Sequence, residues 1–204
     1  MSIQTLAVLA VVLAGFCGGA QSAEKVQLGF YSESLCPDCI DFANGPLEKA
    51  MNEIGSIFTL NYVPWGNAIL KNDGTIECQH GKLECTLNTV EACTLYYYKT
   101  ETEFWPFLHC LDEKIAPTLD GAQQCFSQLS YNWTAVDACL NSEQGYKLDL
   151  MYYNETQALK PPHEYTPWIT VNGKHDPRAE GSGLIKAICE AYTGEDKPDA
   201  CSQK

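Results

Sequence analysis

The sequence predicts an α/β domain in which a β-α-β opening and a β-β-α close flank a cysteine-rich helical insertion stapled by disulfides. Three observations carry that expectation. Short β-type apolar segments stand at both ends of the chain, the first alternating and the last followed by Asn172-Gly173. A Cys-Pro-Asp-Cys run, Cys36 to Cys39, sits where the first strand gives way to a helix. Six more cysteines, Cys78, Cys85, Cys93, Cys110, Cys125 and Cys139, crowd the middle.

The N-terminal stretch is not part of that domain. Leu6 to Phe16 is an almost unbroken apolar run, followed by Gly18, Gly19, Ala20 and Ser22. It is shorter than the roughly 20 residues that span a bilayer, and the small residues after it suit a leader-peptidase cut. Residues 1–22 are expected to be a signal peptide cleaved after Ala20 or Ser22, although no Lys or Arg precedes Lys25. Residues 23–204 then form one domain. No second stretch is apolar for long enough to span, so no stable membrane insertion is expected.

Val26 to Tyr31 places Val26, Leu28 and Phe30 on one side and reads as the first strand. From Asp38 to about Ile54, Ala43, Leu47, Ala50, Met51 and Ile54 recur at helical spacing, with Gly45-Pro46 expected to kink the helix. Phe58 to Val63 is the second strand. Residues 66–159 read as an insertion of short helices. In it Asn88, with Glu91 three residues on, resembles a helix cap, and Ser142 to Leu159 forms a helix ended by Pro161 and Pro162. Trp168 to Val171 is a strand, Asn172-Gly173 a hairpin turn, and Gly183 to Tyr192 the closing helix, with Gly194 beyond it. Residues 195–204 read as a tail open to trimming. The order is that of a thioredoxin-like fold with an insert.

The formal net charge is −13, from 13 Lys and Arg against 26 Asp and Glu, which argues against nucleic acid and anionic membranes as partners. Of the 11 cysteines, Cys17 lies in the leader, and an even set remains. An even set behind a signal peptide implies an oxidising route and a disulfide framework. Sequons at Asn132 and Asn154 point the same way. The expected location is the secretory pathway, with lysosome or endosome and secretion both open; the oligomeric state is open too.

Cys36 and Cys39 are the candidate redox pair. A helix N-terminus presents unpaired N–H groups and partial positive charge to a thiolate, and two intervening residues let one sulfur reach the other. The plainer alternatives are a structural staple or half a zinc site. Pro167, in Thr166-Pro167-Trp168-Ile169, stands where a thioredoxin-like fold keeps a cis-proline against the dithiol; the plainer alternative is an ordinary trans proline.

Cys78-Gln79-His80-Gly81-Lys82-Leu83-Glu84-Cys85, continuing through Asn88 to Cys93, matches the pattern C-Q-H-G-x-x-E-C-x-x-N-x-x-x-x-C. In this run the chain resembles the gamma-interferon-inducible lysosomal thiol reductase (GILT) family. The Cys36–Cys39 pair and the Thr-Pro-Trp strand extend the resemblance over essentially the whole mature chain. The resemblance implies a thioredoxin-like fold, reduction of protein disulfides at acidic pH in endosomes and lysosomes, and a link to immunity in vertebrates. It also makes Cys36 the attacking and Cys39 the resolving cysteine. Cys78, Cys85 and Cys93 are expected in structural disulfides, with Gln79, His80 and Glu84 fixing local hydrogen bonds. Zinc on Cys78, His80 and Cys85 is the disfavoured alternative in an oxidising compartment. His80 and His163 read as surface histidines. No metal or organic cofactor is expected; a small thiol would recharge the pair, and disulfide-containing proteins would be the substrates. Two rival functions are a non-enzymatic, disulfide-rich secreted binding protein and a secretory-pathway thiol oxidase or isomerase working at neutral pH.

Chemistry at low pH sets a demand on the site. An ordinary thiol is only about 0.03% thiolate at pH 5. Lowering its pKa to about 5 takes roughly 4.8 kcal/mol of thiolate stabilisation. A helix terminus supplies about 0.3–1 kcal/mol, or about 2 when partly buried, so hydrogen bonds to the sulfur must supply much of the rest. Asp38 opposes them.

Overall fold

The computed structural model describes residues 23–113 and 117–202; the expected signal peptide lies outside them. The elements are β1 (Val26–Ser32), α1 (Pro37–Phe42), a π-helical turn (Ala43–Leu47), α2 (Glu48–Ile54) and β2 (Phe58–Pro64). The insert holds β3 (Ile69–Leu70), β4 (Ile76–Glu77), α3 (Lys82–Tyr97), α4 (Glu101–Asp112), α5 (Leu119–Leu129), α6 (Trp133–Leu140) and α7 (Glu143–Gln157). β5 (Trp168–Val171), β6 (Lys174–His175) and α8 (Leu184–Ala191) close the fold.

The main sheet runs β2-β1-β5-β6, with β1 parallel to β2 and antiparallel to β5. Val26 pairs with Phe58, and Leu28 with Val171. Both faces of this sheet are buried. Leu28, Phe30, Tyr62 and Ile169 face the larger core shared with Phe42, Leu47, Ile54 and Ile188. Tyr31, Val63 and Trp168 face a smaller one with Trp65, Ala92 of α3 and Tyr152 of α7. Because the insert covers the second face, β1 is buried at every position but Gln27, more than its alternation suggests.

The expected kink takes a specific form. Pro46 has no N–H to return to the preceding turn, and the chain widens into the π-helical turn over Ala43–Leu47 instead of a bent α-helix. The Asn172-Gly173 hairpin forms with both residues left-handed, at φ 51° and 74°, and Asn172 Oδ1 accepts the Gln27 amide at 2.9 Å.

Two expectations change. Asn88 does not begin a helix; α3 starts at Lys82, and Asn88 lies inside it, buried. Its Oδ1 accepts the Ser34 amide at 2.9 Å, so the side chain satisfies the loop before Cys36 rather than its own helix end. The insert is not purely helical, since β3 and β4 pair as a small antiparallel ribbon. The segment after α8 is joined to that helix by a Cys189–Cys201 disulfide and by Lys197 Nζ, which donates to the Cys189 carbonyl at 2.7 Å.

The other bridges are Cys78–Cys85, Cys93–Cys139 and Cys110–Cys125. With Cys78 and Cys85 bonded to each other, the zinc alternative has no thiolates. Asn132 and Asn154 are both exposed. Thr156, the last residue of the second sequon, is 1% exposed, so a glycan there would have to be attached before the chain folds.

Candidate active site

Among the described residues, Cys36 and Cys39 are left as free thiols. Cys36 is the N-cap of α1, in extended backbone at φ −74°, with Pro37 at the first helical position where its missing N–H costs nothing. The Cys39 amide donates to Cys36 Sγ at 3.3 Å. The sulfur therefore occupies the acceptor position that a Ser or Asp oxygen takes at other helix starts.

Thr166 and Pro167 reach the site from the segment before β5, and the peptide bond between them is cis. The Thr166 hydroxyl donates to Cys36 Sγ at 3.5 Å, and its carbonyl oxygen lies 4.0 Å from the same sulfur. A groove of about 460 Å³ runs alongside, lined by Asp38, Asp41, Phe42 and Pro46 and by Tyr165, Thr166, Pro167 and Glu180.

These contacts separate the two thiols. The Cys36 thiol is lowered to about 6, first by the hydrogen bond from the Cys39 side chain. Burial opposes this, the Thr166 hydroxyl and Cys39 amide add to it, and the Asp38 carboxylate works against it. Burial pushes the Cys39 thiol well above its ordinary value, and the neighbouring Cys36 thiolate pushes it further. One sulfur is built to carry charge and the other to hold a proton.

The signature segment comes close to this pair, and the expectation of a bland surface histidine at His80 does not hold. His80 Nδ1 lies 2.5 Å from Glu84 Oε2, and the His80 amide donates to Glu84 Oε1 at 2.9 Å. On its other side His80 Nδ1 is 3.5 Å from Oε2 of Glu33, a residue only 1% exposed and three positions before Cys36. Glu33 Oε1 accepts the Asn67 amide, while the Glu33 carbonyl accepts the Cys36 amide at 3.2 Å. Gln79 Oε1 accepts from the Asn67 side chain at 2.6 Å. Burial pushes the Glu33 carboxyl up to about 7; the Asn67 amide and His80 lower it, while Glu84 and Cys36 raise it. For His80, burial acts downward, but the hydrogen bond and charge of Glu84, with Glu33 and Cys36, carry it above its ordinary value. His163, the other surface expectation, is half-buried and lowered by that burial.

One ligand atom each from Glu33, His80 and Glu84 lies within 4.8 Å of the others, a spacing a metal could bridge. The 2.5 Å His80–Glu84 contact, however, is a charge-assisted hydrogen bond that engages the Nδ1 of the imidazole.

Glu33, Asn67 and Thr166 are the site residues that sequence reasoning missed. The nearest signals were an acid three residues before the dithiol and a hydroxyl just before Pro167.

A family model described as "Gamma interferon inducible lysosomal thiol reductase (GILT)" matches residues 27–129. An Arabidopsis thaliana protein, "Gamma-interferon-responsive lysosomal thiol protein", is 37% identical over 187 residues, covering 90% of this chain and 78% of its own. The Mus musculus "Gamma-interferon-inducible lysosomal thiol reductase" is 38% identical over 188 residues, covering 87% and 72%. Among solved structures, the reduced disulfide bond oxidoreductase DsbG of Mycobacterium tuberculosis aligns with a TM-score of 0.60 at 20% identity, over 87% of this chain and 84% of that one. That likeness establishes the thioredoxin-like fold.

Proposed function

The chain belongs to the gamma interferon inducible lysosomal thiol reductase family and is a thiol reductase; from that premise we propose that it reduces protein disulfides in the acidic endosomal and lysosomal compartments, with Cys36 attacking and Cys39 resolving. The observation that carries the proposal is the asymmetry of the two thiols. Cys36 Sγ accepts from the Cys39 amide and the Thr166 hydroxyl, whereas Cys39 is 2% exposed and keeps its proton.

The Cys36 thiolate attacks one sulfur of a substrate disulfide. A Cys36–substrate bond forms, the substrate S–S bond breaks, and the leaving sulfur takes a proton. Cys39 then loses its proton and attacks Cys36 Sγ. The second substrate sulfur leaves as a thiol, and the pair ends as a Cys36–Cys39 disulfide. Recharging falls to a small thiol, with no metal or organic cofactor in the cycle. With its pKa near 6, Cys36 is about a tenth thiolate at pH 5, some 300-fold more than an ordinary thiol. The groove beside the sulfur is the place for the substrate segment that carries the disulfide.

The test is reduction of insulin disulfides from pH 4 to 8. Wild type should turn over in the acid range, Cys36→Ser should be inactive, and Cys39→Ser should accumulate enzyme–substrate mixed disulfides. Retention of most activity by Cys36→Ser would refute the assignment of roles.

A further inference from the structure

We propose that Glu33 is a charge-setting residue of the dithiol: Glu84 claims the His80 cation, which leaves the buried Glu33 carboxyl protonated in acid, so that no second anion opposes the Cys36 thiolate. The proposal rests on Cys36 being the reactive thiol. It also assigns a chemical task to the signature segment.

The geometry leaves little choice about where the charge goes. Two carboxyls, Glu33 and Glu84, are 1% and 0% exposed and face a single imidazole. Glu84 holds His80 with both oxygens, Oε2 on the ring nitrogen at 2.5 Å and Oε1 accepting from the backbone amide at 2.9 Å. The protonated ring therefore balances Glu84. Glu33 is left with one amide, from Asn67, on Oε1; its Oε2 is buried without a hydrogen bond, 3.5 Å from His80 Nδ1. An ionised Glu33 would be a second, poorly compensated buried anion one turn of chain from the Cys36 thiolate. Gly66, at φ 55°, packs directly against this side chain, so that a Cβ there would overlap Glu33 Cγ.

The titration order agrees. Glu33 is raised to about 7 and Cys36 lowered to about 6, the reverse of an ordinary carboxyl and thiol, and the Cys36 thiolate is one of the groups that raise Glu33. The groups facing the pair come from every neighbouring element. Asp38 and Cys39 lie on α1, and His80 and Glu84 stand at the start of α3. Asn67 follows β2, and His163 bonds the Gly66 backbone from the segment before β5. Of these only His80 and Asp38 are exposed. His80, with 32% of its side chain in solvent, is the route by which the buried carboxyl exchanges its proton.

The test is the rate of iodoacetamide alkylation of Cys36 in the reduced protein from pH 3 to 9. Wild type should show two overlapping steps, because Cys36 first ionises beside a neutral carboxyl and then becomes more basic as Glu33 loses its proton. Glu33→Gln keeps an oxygen for the Asn67 amide and should collapse the profile to one single-proton step. His80→Asn removes the cation and, in the folded fraction verified by circular dichroism, should slow alkylation at pH 5 by about three- to tenfold, with under about twofold change at pH 8.5. A single-step wild-type profile, two steps persisting in Glu33→Gln, or an unchanged rate at pH 5 in His80→Asn would each overturn the proposal. Alkylation reads the Cys36 thiolate without turnover, so these outcomes stand apart from failure of insulin reduction.

Discussion

Replacing Thr166 with Val removes a side-chain hydroxyl that donates to Cys36 Sγ, a contact of 3.5 Å, while keeping two heavy atoms on Cβ. A hydrogen bond to a charged group contributes about 1.5–3 kcal/mol; the length of this one places it near the lower figure. Since each pKa unit is worth about 1.4 kcal/mol, the Cys36 midpoint should rise by about one unit. From its position near 6, that takes the thiolate at pH 5 from about a tenth of molecules to about a hundredth. Insulin reduction at pH 5 should fall about tenfold with it, and the deficit should close above pH 8, where both proteins are fully ionised. Thr166→Ser, which keeps the hydroxyl, should stay near wild type. The measurement is iodoacetamide alkylation of the reduced protein against pH; Cys39, whose thiol burial pushes well above its ordinary value, reacts slowly and does not obscure it. A Val variant with its midpoint within about 0.2 unit of wild type would refute the argument that this hydroxyl holds the charge.

Asp38→Asn should lower the Cys36 midpoint by a few tenths of a unit, about 0.2–0.5, because it removes the carboxylate that opposes the thiolate. High salt should erase the difference at this exposed position, and a loss of about 0.3–1 kcal/mol in stability should accompany it at the helix start. Asp149, 8% exposed with Oδ2 on the Thr89 hydroxyl at 2.9 Å, is raised to about 7 by burial. Its folded state thus holds a proton that the unfolded chain releases near pH 4, so this stability is full below pH 4 and is lost as pH rises toward 7. Urea denaturation should show the wild type losing about 1–3 kcal/mol between pH 4.5 and 7.5, with a flatter profile for Asp149→Asn; parallel profiles would contradict it. Removing Cys93–Cys139, which spans 46 residues, should cost about 4 kcal/mol by loop entropy, against about 2 for Cys78–Cys85, which spans 7. The smaller loss should nonetheless depress acid activity more in molecules that remain folded, because that bridge closes the loop carrying His80.

What could be read in the chain was local. The strand before Cys36, the helix after it and the Asn172-Gly173 turn follow from periodicity and turn chemistry, which involve neighbours a few residues apart. The candidate redox pair follows from a helix start and a short spacing, and the expected roles of its two cysteines from the family resemblance. Asn88 shows where local reading fails: its cap-like context is real, but its oxygen serves Ser34, 54 residues away. The pairing of the eight framework cysteines, the hydroxyl of Thr166 beside a sulfur 130 positions earlier, and the burial of Glu33 against His80 are contacts between distant segments. Their energies depend on desolvation and on separations of a few ångströms, which packing sets. The sequence by itself determined which residues could do thiol chemistry. Only the tertiary structure decided which groups surround the thiolate, because a charge responds to whatever is near it in space, however far along the chain that group lies.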